Sequence, residues 1–510
     1  MNRYQKWVLR TAGIISLWFG LSGVIFAQRI VNVPQGVGTL NTAIDGDTLA
    51  NGDRVDPNTV YVLESGGFYI TLGDITNRGY HLTVVAADGA TEKPKIIPGV
   101  DAGGSSSRPF SPRGDLTLRG LYITNEDQLG GLNRRMIRVR ADSVRIVIED
   151  CHLDKSGQSA FRLDTEGVRI FMRNSIMSNI GTTADPNNGR GIDDRGNNID
   201  TLIFVGNTFY NVTSRVVRDG GGWIKFAYFD HNTFVNVGQY ILSFGEAAFV
   251  RFTNNQVVNW GFYGISPSRI LSGFVGVEID SIGPELIGMG LSQHVDLRNN
   301  NFYRDPAVEA VYPDTVEAVP LFNETAQNFV NESGVASTFL NEAIAFTNGP
   351  AIPTDVIQTF YSDPVNTPPL DTAGEPFDFA YPNTTQSFTH DLNNGPLGDP
   401  VWFGLTVGIE DISDGEIPAG YALRDNYPNP FNPETNIEYA IPQRTLVRIS
   451  VFNLLGQKIA TLVNREQTAG TYKVTWNGLT DAGYPAGSGI YFYRLETARF
   501  AKTKRMLLLQ

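Results

Sequence analysis

Between residues 108 and 260 the cations are 16 arginines and 2 lysines, Lys155 and Lys225, against 16 aspartates and glutamates. A guanidinium grips a carboxylate or sulfate through two parallel hydrogen bonds, which an ammonium cannot do. That bias points to an anion-binding face in a chain whose net charge is -13. Arg138, Arg162, Asp193, Arg218 and Ser243 recur at spacings of 24, 31, 25 and 25. Neighbouring strands of a stacked sheet lie about 4.8 Å apart, so one such residue per turn would form an outward ridge. Asp164, Asp194, Arg195, Asp219 and Glu246 fall beside it, and Lys225 on the strand that follows. Eliminative cleavage of a uronate polymer requires a cation on the sugar carboxylate, a base for the C5 proton and an acid for the leaving oxygen. In that reading Arg162 and Arg218 bind the carboxylate and Lys225 or a neighbouring arginine is the base. Arg138, Asp193, Asp194 and Asp219 then bind substrate, orient the arginines or hold a cation such as calcium. Hydrolysis by paired carboxylates, drawing on Asp193, Asp194 and Asp219, ranks below elimination. The same charges would equally suit a solvated surface on which arginines pair with neighbouring acids.

A ridge of this kind needs coils of near-constant length. The segment NTFYNV at 207–212 returns as NTFVNV at 232–237 and NQVVNW at 255–260, with looser forms DCHLDK at 150–155 and SIMSNI at 175–180. Anchoring on the fifth residue gives Asp154, Asn179, Asn211, Asn236 and Asn259, spaced by 25, 32, 25 and 23. A period near 24 is a coil length, too short for a propeller blade and without the leucines of a leucine-rich repeat. Between anchors lie short alternating strands such as SVRIVIED, GVRIFMRN and WIKFAYFDHN, broken by Gly, Asn and Asp. The expected fold is all-β: a right-handed parallel β-helix whose anchor asparagines point inward and bond their neighbours above and below. His152 and His231, each beside an anchor, read as bend residues.

The opening from Val33 to Gly99, with VPQGVGTLNTAI, VYVLESGGFYITLGDI and HLTVVAADGATEKPKIIPG, resembles the first coils of the pectin-lyase-like superfamily. With the later coils the resemblance spans residues 33 to about 305. It implies a capping helix and a polysaccharide-handling role, since the superfamily includes β-helix lyases in which Arg and Lys are catalytic, sometimes beside calcium. This chain shows neither that family's Lys and Arg motif nor the paired-aspartate and His motifs of its hydrolases. The tail is more specific. YALRDNYPNPFNPETNIEYAIP, VRISVFNLLGQKIATLV and AGTYKVTWNGLTDAGYPAGSGIYFYRL strongly resemble the C-terminal sorting domain of type IX secretion, a small immunoglobulin-like β-sandwich. The resemblance implies recognition by the export machinery and a secreted or surface-attached product.

These elements order the chain. Residues 1–27, basic at Arg3, Lys6 and Arg10 and then apolar to Ala27, read as a secretory signal too short to span a membrane. Residues 28–305 are the β-helix, and 306–408 an irregular Pro- and Asp-rich segment packing on it. Residues 409–420 are a linker and 421–510 the sorting domain. No transmembrane segment remains once the signal is removed. One cysteine, Cys151, excludes an intramolecular disulfide. Residues 261–420 carry -19 of the charge, and such an acidic body argues against nucleic-acid binding. The expected partner is an extracellular, anionic polysaccharide, cleaved by a lyase or held by a non-catalytic adhesin or scaffold. In an enzyme, the insertions at 182–191 and 262–298 should wall the ridge.

Overall fold

The computed structural model describes residues 29–405 and 422–509, except 50–53, 105, 267–272, 393, 425, 427, 430, 442–444, 455–456, 468–469, 482–483 and 498–499. The expected signal (1–27) and linker (409–420) lie outside the described residues. The described residues form two compact units, divided after residue 407.

In the first unit, strands of two to eight residues recur in the order A, B, C and stack in parallel on their equivalents in the next coil, forming a β-solenoid. Sheet A includes Leu116–Arg119, Arg145–Glu149, Val168–Arg173, Ile199–Val205 and Trp223–Asp230. Sheet B includes Tyr122–Thr124, His152–Ser156, Ile176–Ile180, Thr208–Val212, Thr233–Val237 and Gln256–Trp260. Sheet C includes Arg135–Val139, Ser159–Leu163, Arg190–Asp193 and Arg215–Arg218. The twelve-residue strand Leu242–Thr253 runs from C into A, pairing with Arg215–Arg218 at its start and Trp223–Asp230 thereafter. Alternation sets the faces: in Arg145–Glu149, Ile146 and Ile148 are buried while Arg145, Val147 and Glu149 are not. Because registers repeat, identical side chains stack coil on coil, as Phe204 does on Phe229 and Phe209 on Phe234, each with centroids 4.9 Å apart. At the N-terminal end the helix Thr39–Gly46 buries Leu40 and Ile44 against the first coil.

The bends use two asparagine columns, and the inward one is not the anchor column expected from the repeat. Asn207, Asn232, Asn255 and Asn300, the first residues of each repeat, are fully buried. Asn207 Nδ2 donates to Asn232 Oδ1 (3.0 Å), Asn232 Nδ2 to Asn255 Oδ1 (3.1 Å) and Asn255 Nδ2 to Asn300 Oδ1 (3.0 Å). The same amides satisfy the carbonyls of Met172, Phe204, Phe229 and Phe252. The anchors Asn179, Asn211, Asn236 and Asn259 instead occupy the left-handed region at φ 55°, which asparagine tolerates. They still bond one another as expected, Asn211 Nδ2 donating to Asn179 Oδ1 (3.1 Å), Asn236 Nδ2 to Asn211 Oδ1 (3.4 Å) and Asn259 Nδ2 to Asn236 Oδ1 (3.3 Å). The amides of Asn179, Asn211 and Asn236 also reach outward to Glu375, the Asp371 carbonyl and the Ala351 carbonyl. In the first coil of this series the register pairs Asp154 with Ser178, so Lys155, at φ 56°, takes the anchor place that the spacing assigned to Asp154. Asp154 ends the column differently, with Oδ1 accepting from Asn179 Nδ2 at 2.8 Å.

Residues 306–339 close the far end of the solenoid, where Phe322 and the helix Glu324–Ser333 meet the strand Val277–Asp280. Residues 340–405 form a strap of short helices and turns across sheet B. Phe377, Phe379 and Trp402 pack on Tyr210, Val235 and Val258, and Asp399 Oδ2 accepts from Thr208 Oγ1 at 2.9 Å. His231 is clamped between two carboxylates, Nδ1 to Asp230 Oδ2 at 2.8 Å and Nε2 to Asp391 Oδ2 at 3.0 Å, which ties the strap to a solenoid bend. Covering the sheet this way keeps apolar strand surface from water and from other chains.

The second unit has two antiparallel sheets. Ala422–Leu423, Thr435–Ile441 and Gly470–Trp476 form one, and Lys458–Gln467, Thr445–Phe452, Gly489–Glu496 and Ala501–Leu508 the other. Trp476, Tyr439, Tyr493 and Ile449 are buried together in a small β-sandwich core.

Candidate functional site: an arginine ridge on sheet C

Sheet C brings the ridge together. Arg138 pairs in register with Arg162, Arg162 with Asp193, and Asp193 with Arg218. Val217 then pairs with Leu242 and Ser243 with Glu278, which carries the column to Glu278. The neighbouring strand positions Ile137, Phe161, Ile192 and Val217 are buried in the core, so the column faces outward.

Carboxylates thread this column. Asp164 accepts from Arg138 Nε and from Arg162 Nε, the latter at 2.7 Å. Asp193 is fully buried between Arg190 Nη1 (3.2 Å) and Arg218 Nη1 (2.8 Å). Asp194 Oδ2 accepts from the Gly220 backbone N–H at 3.0 Å and Asp219 Oδ1 from that of Gly221 at 2.8 Å. Burial pushes the Asp194 carboxyl up to about 6 against the backbone N–H groups of Gly220 and Gly196, and burial likewise raises Asp219 and Glu278. Among the described residues no group of three or more His, Cys, Asp and Glu gathers to hold a metal ion. Each of the three aspartates considered for that purpose already has a protein partner. Lys225 lies on sheet A, round the bend from Arg218, with Nζ 3.4 Å from Asp200 Oδ2. The structure therefore groups Arg138, Arg162, Asp193 and Arg218, places Asp194 and Asp219 at the end of their strands, and puts Lys225 on a separate face.

A second arginine column escaped the sequence reading. Arg135, Ser159, Arg190 and Arg215 stand in register three residues before the ridge. The same alignment that found the ridge, moved back three positions, shows it. Arg215 lies against Tyr240 (4.6 Å) and Phe274 (5.8 Å), and burial lowers its guanidinium to about 10. Burial also lowers Arg190, and Arg140 Nε is buried without an acceptor among the described residues.

The insertions act differently from one another. Residues 182–191 lie along the entry edge of sheet C, where Arg190 Nη2 donates to Asn187 O (2.8 Å) and Gln158 Nε2 to Asn188 Oδ1 (2.9 Å). The described part of 262–298 extends the solenoid, supplying Val277–Asp280 to sheet C and His294–Asp296 to sheet A.

No curated protein matches the chain. Solved structures similar to it include PorZ, a bacterial surface component of the type-IX secretion system of Porphyromonas gingivalis, at 19% identity over 18% of this chain and 12% of that chain, with a TM-score of 0.14. Another is the enzymatically active domain of tailspike protein 2 of bacteriophage CBA120, at 9% identity over 94% of this chain and 76% of that chain, with a TM-score of 0.21. Residues 425–509 match the family model of the secretion system C-terminal sorting domain. The chain thus pairs a β-solenoid with a type IX sorting domain, and it is exported to the cell surface or the extracellular space.

Proposed function

We propose that this exported solenoid engages an anionic extracellular polysaccharide along sheet C. The observation that carries the reading is the register of Arg138, Arg162 and Arg218 on one outward column. Guanidiniums repeated at strand spacing match the repeated carboxylate or sulfate groups of an extended polymer, and each meets them bidentately. Asp164 and Asp193 hold the guanidiniums in place. They also leave the set cationic, since Arg138, Arg162, Arg190 and Arg218 share two carboxylates.

Eliminative cleavage is the catalytic extension of the same reading. Arg162 and Arg218 would neutralise a uronate carboxylate, and the base would come from Lys225 across the bend or from an arginine of the second column. The half-exposed Lys225, paired with Asp200, favours binding without cleavage. The test is incubation of the mature chain with alginate, pectate, chondroitin sulfate and heparin, with and without calcium, following polymer binding and the absorbance of unsaturated uronate ends. Binding that weakens tenfold or more in Arg162→Ala and Arg218→Ala is the expected result. A rise in absorbance abolished by the same variants would make the protein a lyase. Binding that ignores both substitutions would overturn the ridge as the contact surface.

A further inference from the structure

Beside the first rung of the second arginine column lies a cavity of about 190 Å³ lined by Ser106, Arg108, Asn133, Arg134 and Arg135. The bend that precedes sheet C builds it. Asn133 Nδ2 donates to Ser106 Oγ at 2.6 Å, and the Asn133 backbone N–H and the Asn125 amide tie the same turn to the coil, so the wall is fixed. Three guanidiniums thus converge on one small space. The one ion pair they make among the described residues joins Arg108 to Asp74. Arg134 and Arg135 have no carboxylate partner among the described residues, and Arg135 Nε is buried without an acceptor. The Arg135 guanidinium is depressed by burial and then by Arg162, Arg134, Arg138 and Arg108, every one a like charge.

Gathering like charges in a half-enclosed space costs folding free energy, and a buried donor without an acceptor costs more. An anion seated among them would remove both costs. The cavity is smaller than the roughly 300 Å³ at which pockets for whole drug-sized ligands begin, which suits one pendant charged group and not a complete oligosaccharide unit. Its donors are guanidinium forks, a hydroxyl and an amide, the set that matches three or two coplanar acceptor oxygens.

We propose that this cavity is an oxyanion-binding pocket that takes a sulfate or carboxylate group, with Arg134 and Arg135 as its principal ligands and Arg108 held in place by Asp74. The placement deepens the polysaccharide reading and rests on it, because the lining residue Arg135 starts the strand whose Arg138 is the first residue of the ridge. A polymer lying on the ridge would seat one pendant group here. The pocket itself does not depend on the anion being carried by a glycan.

The experiment is calorimetric titration of the mature full-length chain with inorganic sulfate at low ionic strength. Competition by heparin, its desulfated form and polygalacturonate follows. The wild-type protein should bind sulfate, and Arg135→Ala and Arg134→Ala should each weaken it at least tenfold. Arg134→Lys, which keeps the charge but loses the fork, should weaken it several-fold with unchanged circular dichroism and melting. Competition by heparin alone assigns a sulfate ester, and competition by polygalacturonate assigns a carboxylate. Sulfate binding with no competition from any polymer keeps the pocket and removes the polysaccharide reading. No sulfate binding by the wild-type chain, or equal binding by wild type and Arg134→Lys together with Arg135→Ala, would overturn the proposal.

Discussion

The clamp at His231 makes a quantitative claim about how the strap is held. Burial by itself would depress this imidazole, but Asp230 and Asp391 on its two nitrogens outweigh burial and raise it to about 10. The same imidazolium holds the buried Asp230 below the ordinary carboxylate range, assisted by Arg251 and Thr253. A basic group whose folded value is raised contributes stability that is complete below its unfolded value of about 6.5 and lost as pH climbs through the folded value. At about 1.4 kcal/mol per pH unit, the interval from 6.5 to about 10 is worth up to about 5 kcal/mol. That agrees with the roughly 3–5 kcal/mol expected when one partner of a buried ion pair is removed. The perturbation is His231→Asn, chosen because residue 231 sits at φ 53°, which asparagine tolerates. At pH 7 the variant should lose about 3–5 kcal/mol by chemical denaturation, with earlier proteolytic cutting between residues 340 and 405. Between pH 8 and 11 the wild-type protein should lose most of its advantage over the variant, because only the wild-type protein has a clamp to deprotonate. A loss under about 1 kcal/mol at pH 7, or parallel alkaline profiles, would refute the claim that the imidazolium anchors the strap.

The inward asparagine column makes a second claim. Asn232→Leu would leave the buried Asn207 backbone N–H without its acceptor and remove the amide's bonds to the Phe204 carbonyl and to Asn255. At roughly 1–3 kcal/mol for an orphaned buried group, chemical denaturation should show a loss of about 3 kcal/mol of stability. For the sorting domain, deleting residues 421–510 should leave the solenoid inside the cell envelope of a type IX-secreting host, measured by fractionation and surface labelling.

Much of this architecture is legible along the chain because a solenoid is close to one-dimensional: each coil meets its neighbours, and sequence period becomes spatial stacking. The spacing of Arg138, Arg162, Asp193 and Arg218 tracks the coil length, insertions included, and their register in sheet C is that spacing in three dimensions. The sorting domain is legible for another reason, since its turns and prolines sit in a pattern dense enough to be matched by eye and by family model alike.

What the period cannot supply is direction and long-range closure. Both asparagines of NTFVNV repeat equally well, so the repeat alone does not say which one faces the core. Packing decides, sending Asn232 inward against backbone carbonyls and Asn236 outward under the strap. A shift of one residue separated Asp154 from Lys155 as the anchor, and only strand pairing resolves it. Lys225 follows Arg218 closely in sequence, yet the bend carries it to another sheet. The cavity at Arg108, Arg134 and Arg135 joins adjacent coils through residues 26 and 27 positions apart, and the sequence between them carries no sign of it. The sequence by itself determined the coil period, the arginine column and the export tail, because these follow from local pattern repeated or matched. Tertiary structure decided which faces are covered, which charges are neutralised and where unpaired cations converge, because those depend on contacts between residues far apart in the chain.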